Sequence, residues 1–294
     1  MEGDDVAYLE AAATVDDRAH SQEGTAAFRD ALRRDDDADG VRVLEAGAGT
    51  CGMLRRLLAD DALPTGEWVA TDTDERVLDA GRDLLRAAAA EAGYRVETEG
   101  SADVFRRGES RLRVRFVADD ARAVAAGYDA DGVVGRSFAD LLAPEDVHSL
   151  LRAAAPDGWY HLPLTFDGET RFSPSHPADD AVLDAFHATM RNRGRAATLV
   201  AERFADAGTP PTVDARSDWV VERVGDADGP DDGYPVDEET FLRTILDTVV
   251  ASVRDSGRVP EATLREWANT REQQLAQGRL GYVAVNRDLF GRVP

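Results

Sequence analysis

Three acidic residues stand where an open α/β sheet would gather a ligand: Glu45, Asp72 and Asp120. Each follows a short apolar run and precedes a stretch of helical spacing, so each falls at the C-terminal end of a strand. That is the side on which parallel sheets bind their ligands. After the first acid comes a glycine-rich turn, Gly47-Ala48-Gly49-Thr50-Cys51-Gly52. Gly47, Gly49 and Gly52 remove side chains where the backbone must bend and a ligand must come close. Asp72 lies about twenty residues past that turn, where a neighbouring parallel strand sets a carboxylate beside a nucleotide ribose. Its alternative task is to cap the following helix, which Thr73 or Asp74 can do instead. Glu45 narrows the ligand. A carboxylate two residues before the first glycine repels a pyrophosphate, so the ligand there is cationic and free of phosphate. An ammonium or a sulfonium meets that condition.

The elements that must position these acids are legible as alternating strands and helices. Residues 4–36 read as two short helices, with Val6, Leu9 and Ala13 on one face and Phe28 and Leu32 on another. Val41, Val43 and Leu44 begin a strand, and Met53, Leu54, Leu57 and Leu58 continue as a helix over about 50–61. A second strand runs to Asp72 and a second helix covers about 74–92. Gly100 to Ser110 reads as a charged surface loop, followed by a strand in which Leu112, Val114 and Phe116 alternate with arginines. Ala130 to Gly135 forms the fourth strand, 144–154 a helix and Trp159 to Phe166 the fifth strand, with Pro163 marking an edge, a bulge or a strand end. Stacked βαβ units of this kind make a mostly parallel sheet. Beyond Gly168 a loop over 169–178 leads to helices over about 179–192 and 194–207. A sixth strand over Asp214 to Val224 and an acidic loop over Gly225 to Gly233 follow. Two more helices then precede a last strand from Leu280 to Val285.

The 294 residues suffice for a full core, and 43% of them are hydrophobic, so the chain is globular. No apolar run is long enough to cross a bilayer, the N-terminus lacks the regions of a signal peptide, and the lone Cys51 forms no internal disulfide. A soluble cytoplasmic protein is expected. The charge is extreme: 57 acids against 34 bases, every base an arginine, for a net charge of −23. This resembles the composition of salt-adapted, halophilic archaeal proteins. It also disfavours a nucleic-acid partner, because a phosphate backbone calls for a basic face.

Taken together, Glu45 to Gly52 resembles the first motif of the class I S-adenosylmethionine-dependent methyltransferases. Asp72 matches their ribose acid, Asp120-Ala121 their adenine-contacting pair, and Tyr128-Asp129 with Val133-Val134 their fourth strand. The resemblance covers about residues 40–166 and loosens beyond. It implies one Rossmann-like α/β domain over 1–294: a mostly parallel seven-stranded sheet with a reversed edge strand and helices on both faces. Residues 1–39 would form an N-terminal helical cap and 40–168 the cofactor-binding core. The extra helices after strands five and six, over 169–210 and 235–279, would lie over the substrate side. S-adenosyl-L-methionine is the implied cofactor. Glu45, Gly47, Gly49 and Gly52 would hold its methionine moiety, Asp72 with Thr73 the ribose, and Asp120 with Ala121 the adenine. Arg136 and Ser137 would face the methionine end or the substrate.

The acceptor is less defined. No Asp/Asn-Pro-Pro-aromatic motif follows the fourth strand, which removes the usual amino-methylating DNA enzymes, and the inserted helices would shape a pocket for a small molecule. An O-methyltransferase often needs a general base. His161 is the first choice and Asp167 the alternative, with His176 and His187 nearby in sequence. Trp219, Tyr234, Phe241 and Trp267 either line a substrate pocket or pack a core. No spacing of ligand-type residues marks a metal site, Asp179-Asp180 reading as a solvated helix start. Two rival functions remain: an NAD-dependent oxidoreductase, disfavoured by Glu45, and a non-catalytic cofactor-binding protein of regulation or assembly. The charge makes its own prediction. An acidic surface repels itself at low ionic strength and is screened at high salt, so the melting temperature should rise from low to molar KCl. A flat or falling curve would overturn this.

Overall fold

The computed structural model describes residues 6–34, 40–223, 233–235 and 237–294. The Val41-Val43-Leu44 run becomes β1 (Val41–Ala46), with β2 (Gly66–Asp72) parallel on one side and β6 (Ala130–Val134) parallel on the other. Beyond them β5 (Ser110–Ala118) adds to β2 and β7 (Ala154–Ser173) adds to β6, again in parallel. Five parallel strands thus carry their C-terminal ends to one edge, and β1 lies at their centre.

The sheet has ten strands and is mixed, where seven mostly parallel ones were expected. Two of the additional strands are β3 (Arg95–Glu99) and β4 (Ala102–Arg107), an antiparallel hairpin added to β5. The supposed charged loop over 100–110 contains β4, buried from Ala102 to Phe105. Asp103, in its middle, is paired internally: Arg82 donates from Nε and Nη2, both at 2.7 Å, and Thr98 from its hydroxyl at 3.0 Å. The third arises because the sixth strand is split into β8 (Pro211–Arg216) and β9 (Trp219–Val221), which pair with different halves of β10 (Gly281–Arg292). The reversed strand is β10, and it lies between β7 and β8 rather than at the edge. Residues 169–173, expected in a loop, continue β7, and β10 runs seven residues past Val285. The acidic loop of 225–232 falls outside the described residues.

Alternation sorts the strand side chains onto two faces. Val41, Val43, Trp68 and Trp159 meet α2 (Gln22–Arg34), α3 (Gly52–Ala59) and α4 (Glu75–Glu91). On the opposite face Leu44, Val69 and Val133 pack with α5 (Ala121–Ala125), and Tyr160 and Leu162 with α6 (Pro144–Leu150) and α8 (Ala196–Asp206). The elaboration after strand five is therefore divided, since α8 covers the sheet itself. A further core surrounds Phe241 and Trp267, where the far halves of β7 and β10 meet α1 (Val6–Ala19), α7 (Asp179–His187), α9 (Glu238–Ser256) and α10 (Glu261–Ala276). Trp219, Phe241 and Trp267 are buried in this core and Tyr234 packs against it, so these aromatics do not line the cleft described below. Asp179 is likewise no solvated helix start. It accepts from Trp267 Nε1 at 2.7 Å and pairs with the buried Arg271.

Burial pushes the Asp103 carboxyl up, but hydrogen bonds from Arg82 and Thr98 and the charges of Arg82 and Arg86 more than reverse this, leaving it below its ordinary value. Such a lowered group stabilises the fold above the ordinary carboxylate range and loses that contribution as pH falls through the folded value. Asp103→Ala should cost about 3 kcal/mol at pH 7. Paired denaturant titrations should show the gap between wild type and variant closing in acid.

Candidate functional site

The C-terminal ends of the parallel strands border a cleft of about 600 Å³, a size suited to a nucleoside-scale ligand. Its floor is the turn after β1. Gly47 and Gly49 both adopt left-handed conformations, with φ of +65° and +53°. At Gly47 a Cβ would lie 2.2 Å from the Phe138 ring, so glycine is required twice over. The turn is anchored from below, since a Cβ on Gly81 of α4 would come within 2.7 Å of the Gly49 carbonyl oxygen. From the side, Ala48 N–H donates to the Thr71 carbonyl at 2.8 Å and Gly49 N–H to Asp72 Oδ2 at 3.0 Å.

Asp72 thus holds the turn, and its other oxygen accepts from Asp74 N–H at 3.0 Å. It does not cap α4. Asp74 does, accepting from Arg76 N–H. A carboxylate has about four lone-pair sites, so Asp72 keeps acceptor capacity toward the cleft. Asp120 is more occupied, because it caps α5 and accepts from the Arg122 side chain. Those hydrogen bonds keep its carboxyl below the ordinary range.

Glu45 is 1% exposed, and its one hydrogen-bond donor among the described residues is neutral, Trp68 Nε1 at 2.7 Å. Burial raises its carboxyl to about 7, against the pull of the Trp68 hydrogen bond and the Arg136 charge. Arg136 comes from the loop after β6 and fills the space left by Gly52, where a Cβ would fall 1.5 Å from Nη2. Ser137 follows with a φ of +49°, and its buried hydroxyl has no hydrogen-bond partner among the described residues.

The cleft therefore gathers Glu45, Gly47, Gly49, Asp72, Thr73, Asp120, Ala121, Arg136 and Ser137, while Gly52 acts by making room for Arg136. Two expected residues lie elsewhere. His161 points to the opposite side of β7 from Tyr160, into the α2 side of the sheet, with its ring centroid 4.7 Å from that of Phe28. Burial lowers its pKa to about 3. Asp167 accepts from Thr198 N–H at 2.9 Å and from Arg287 Nη1 at 2.9 Å, away from the cleft. His176 and His187 are engaged locally, with Ala178 N–H and Thr170 Oγ1. Neither they nor Cys51 line the cleft. Cys51 is buried, and its thiol is held well above the ordinary value by that burial.

Sequence spacing did not point to Leu9 and Asp16 of α1, which close the cleft from above, or to Asp119, Arg122, Phe138, Leu141 and Leu142. The helix α1 is fastened there by ion pairs, Glu10 with Arg55 at 2.5 Å, Asp17 with Arg56 at 3.3 Å and Asp16 with Arg136 at 3.6 Å. Only α1 of the N-terminal pair caps the site. The second helix, α2, packs on the sheet.

A buried acid raised to about 7 destabilises the fold once ionised. Because its folded value exceeds its unfolded one, stability is lost as pH rises through about 7. Glu45→Gln should therefore melt higher than wild type at pH 8 and nearly with it at pH 4, as read by thermal unfolding at the two values.

No family model matches the chain, and no curated protein matches its sequence. Among solved structures, the cyclopropane synthase MmaA2 from Mycobacterium tuberculosis is similar over 92% of this chain and 84% of its own, at 11% identity and a TM-score of 0.43. The mycolic acid cyclopropane synthase CmaA1, complexed with SAH and CTAB, is similar over 92% and 85%, at 12% identity and a TM-score of 0.43. Magnesium protoporphyrin IX methyltransferase from Synechocystis, with bound SAH, is similar over 66% and 77%, at 13% identity and a TM-score of 0.42.

Proposed function

We propose that the cleft binds S-adenosyl-L-methionine and that the chain is a methyltransferase acting on a small molecule. The observation that carries this reading is Glu45, a buried acid beside the glycine turn with no cation in hydrogen-bond contact among the described residues. A pyrophosphate at that turn would meet a carboxylate in low dielectric, which disfavours a nicotinamide dinucleotide. A cationic ligand would instead supply the missing counter-charge. Asp72 keeps lone pairs for two ribose hydroxyls, and the Ser137 hydroxyl is an unmet polar group on the same wall. These residues fit the cofactor.

When bound, S-adenosylmethionine supplies a methyl group already activated on a sulfonium, so the protein has little bond chemistry of its own to perform. Its part is alignment. Asp72 and the Gly49 amide fix the ribose side. Glu45 and Arg136, of opposite sign, suit an ammonium and a carboxylate at the amino-acid end. Leu9, Phe138, Leu141 and Leu142 offer an apolar wall for the acceptor. His161 and Asp167 have no part in this site, because neither lines the cleft.

No helix among the described residues is long and apolar enough to cross a membrane. Calorimetry at high salt tests the ligand directly. S-adenosylmethionine and S-adenosylhomocysteine should bind and NAD should not, and Asp72→Ala should weaken S-adenosylhomocysteine about 10- to 100-fold, the span of a lost charged hydrogen bond. Unchanged affinity in that variant would refute the assignment. Methyl transfer to any acceptor would exclude a purely regulatory cofactor-binding role.

A further inference from the structure

The acceptor end of the cleft has a charge pattern of its own. Among the described residues the cleft is lined by six carboxylates and two guanidiniums. One guanidinium, Arg122, is engaged by Asp120 and by Asp146 at 3.0 Å. The other, Arg136, lies 3.6 Å from Asp16 Oδ2 and 3.8 Å from Asp17 Oδ1. Clefts lined by one sign of charge concentrate ligands of the other sign and exclude their own.

Asp16 sets the local chemistry. It projects from α1 into the cleft, its side chain is 8% exposed, and Oδ1 has no hydrogen-bond partner among the described residues. An unmet buried carboxylate oxygen is costly unless a donor arrives. Trp219 lies alongside from β9, and its indole N–H favours the charged form of the Asp16 carboxylate. Asp72 and Asp120, toward the β2 and β5 ends, set the ribose and adenine sides. Asp16 pairs with Arg136, which the cofactor assignment puts at the amino-acid end. The cleft lining also includes the apolar Leu9, Phe138, Leu141 and Leu142, of which Leu141 is 46% exposed.

Building on the cofactor assignment above, we propose that the methyl acceptor is a small amine with an apolar body, and that the Asp16 carboxylate holds its protonated nitrogen. Before transfer the ammonium gives one proton to the Asp16 carboxylate, exposing the nitrogen lone pair. That pair then forms the new C–N bond as the C–S bond breaks. Sulfur keeps the bonding pair and leaves as a neutral thioether, and the product is an N-methylammonium. Burial raises the Asp16 carboxyl to about 6, against the charge of Arg136 and the indole of Trp219 and with the charge of Asp17, while Arg56 acts weakly to lower it. The group is thus ionised at neutral pH yet basic for a carboxylate, as both tasks require.

Three probes of one shape separate charge from size: benzylamine, p-cresol and benzoate, titrated at millimolar concentration by calorimetry into protein saturated with S-adenosylhomocysteine. Benzylamine should bind, benzoate should not, and p-cresol should bind at least tenfold more weakly than benzylamine. Asp16→Asn should weaken benzylamine at least tenfold, and by a larger factor than it changes S-adenosylhomocysteine affinity, and Asp16→Glu should restore part of the loss. Equal or tighter binding of p-cresol or benzoate overturns the proposal, as does no binding of any probe. An Asp16→Asn variant that loses S-adenosylhomocysteine instead of benzylamine would place the carboxylate on the cofactor's own ammonium and also overturn it. Failure of S-adenosylhomocysteine to bind the wild-type protein would refute the cofactor assignment first, and this proposal with it.

Discussion

The site depends on a carboxylate kept where a carboxylate does not belong. Glu45 ends the central strand, is shielded from water, and receives one neutral hydrogen bond from Trp68. A charge in that setting is tolerated only if it is neutralised or paired. Burial neutralises it in part, by raising its affinity for a proton. A positive ligand would pair it, and the same desolvation that penalises the lone charge sharpens selection for that sign. The acid and the five parallel strands around it therefore belong together: the sheet buries Glu45, and the burial makes it selective.

Around that acid the geometry is held by close backbone approach and by hydrogen bonds between side chains and backbone. Gly81 lets α4 approach the turn to contact distance, Asp72 accepts the Gly49 amide, and Thr71 donates its hydroxyl to the Glu45 carbonyl at 2.7 Å. None of these contacts can shift alone. The upper wall is different in kind. Helix α1 meets the cleft through Leu9, whose Cδ1 would sit 3.5 Å from a Cβ at Gly49, and through arginine–acid pairs partly open to solvent.

The parts of this arrangement that were legible in the sequence are the short-range ones. Glu45, the glycines and Asp72 announce themselves because strand, turn and acid lie within a few residues of one another, and the helix cap needed to free Asp72 was present as Asp74. Leu9 and Asp16 were not legible, because only tertiary packing against α9 and β9 brings α1 over the cleft. His161 misled for a physical reason. Residues 158–165 of β7 are buried on both faces, so the alternation that assigns a side chain to cleft or core is erased. Strand β4 was mistaken for a loop because Asp103 is charged and buried at once, a combination that one-dimensional polarity reads as exposure. The split of the sixth strand and the inward place of β10 are properties of pairing between distant segments, which spacing does not encode.

The ribbon formed by β7 and β10 has a mechanical meaning. It pairs from Trp159 with Arg292, beside the parallel strands, to Ser173 with Gly281, on the side of the helical core. Two hydrophobic cores thus share two long strands, whose ladder shifts register between Ala284 and Asn286 and between Arg287 and Leu289. Helix α1 is attached differently, through links to the floor that are largely ionic. Exposed ion pairs weaken as counter-ions accumulate. The surrounding electrolyte thereby acts on the molecule twice, quieting repulsion across the acidic surface while loosening the bar across its doorway.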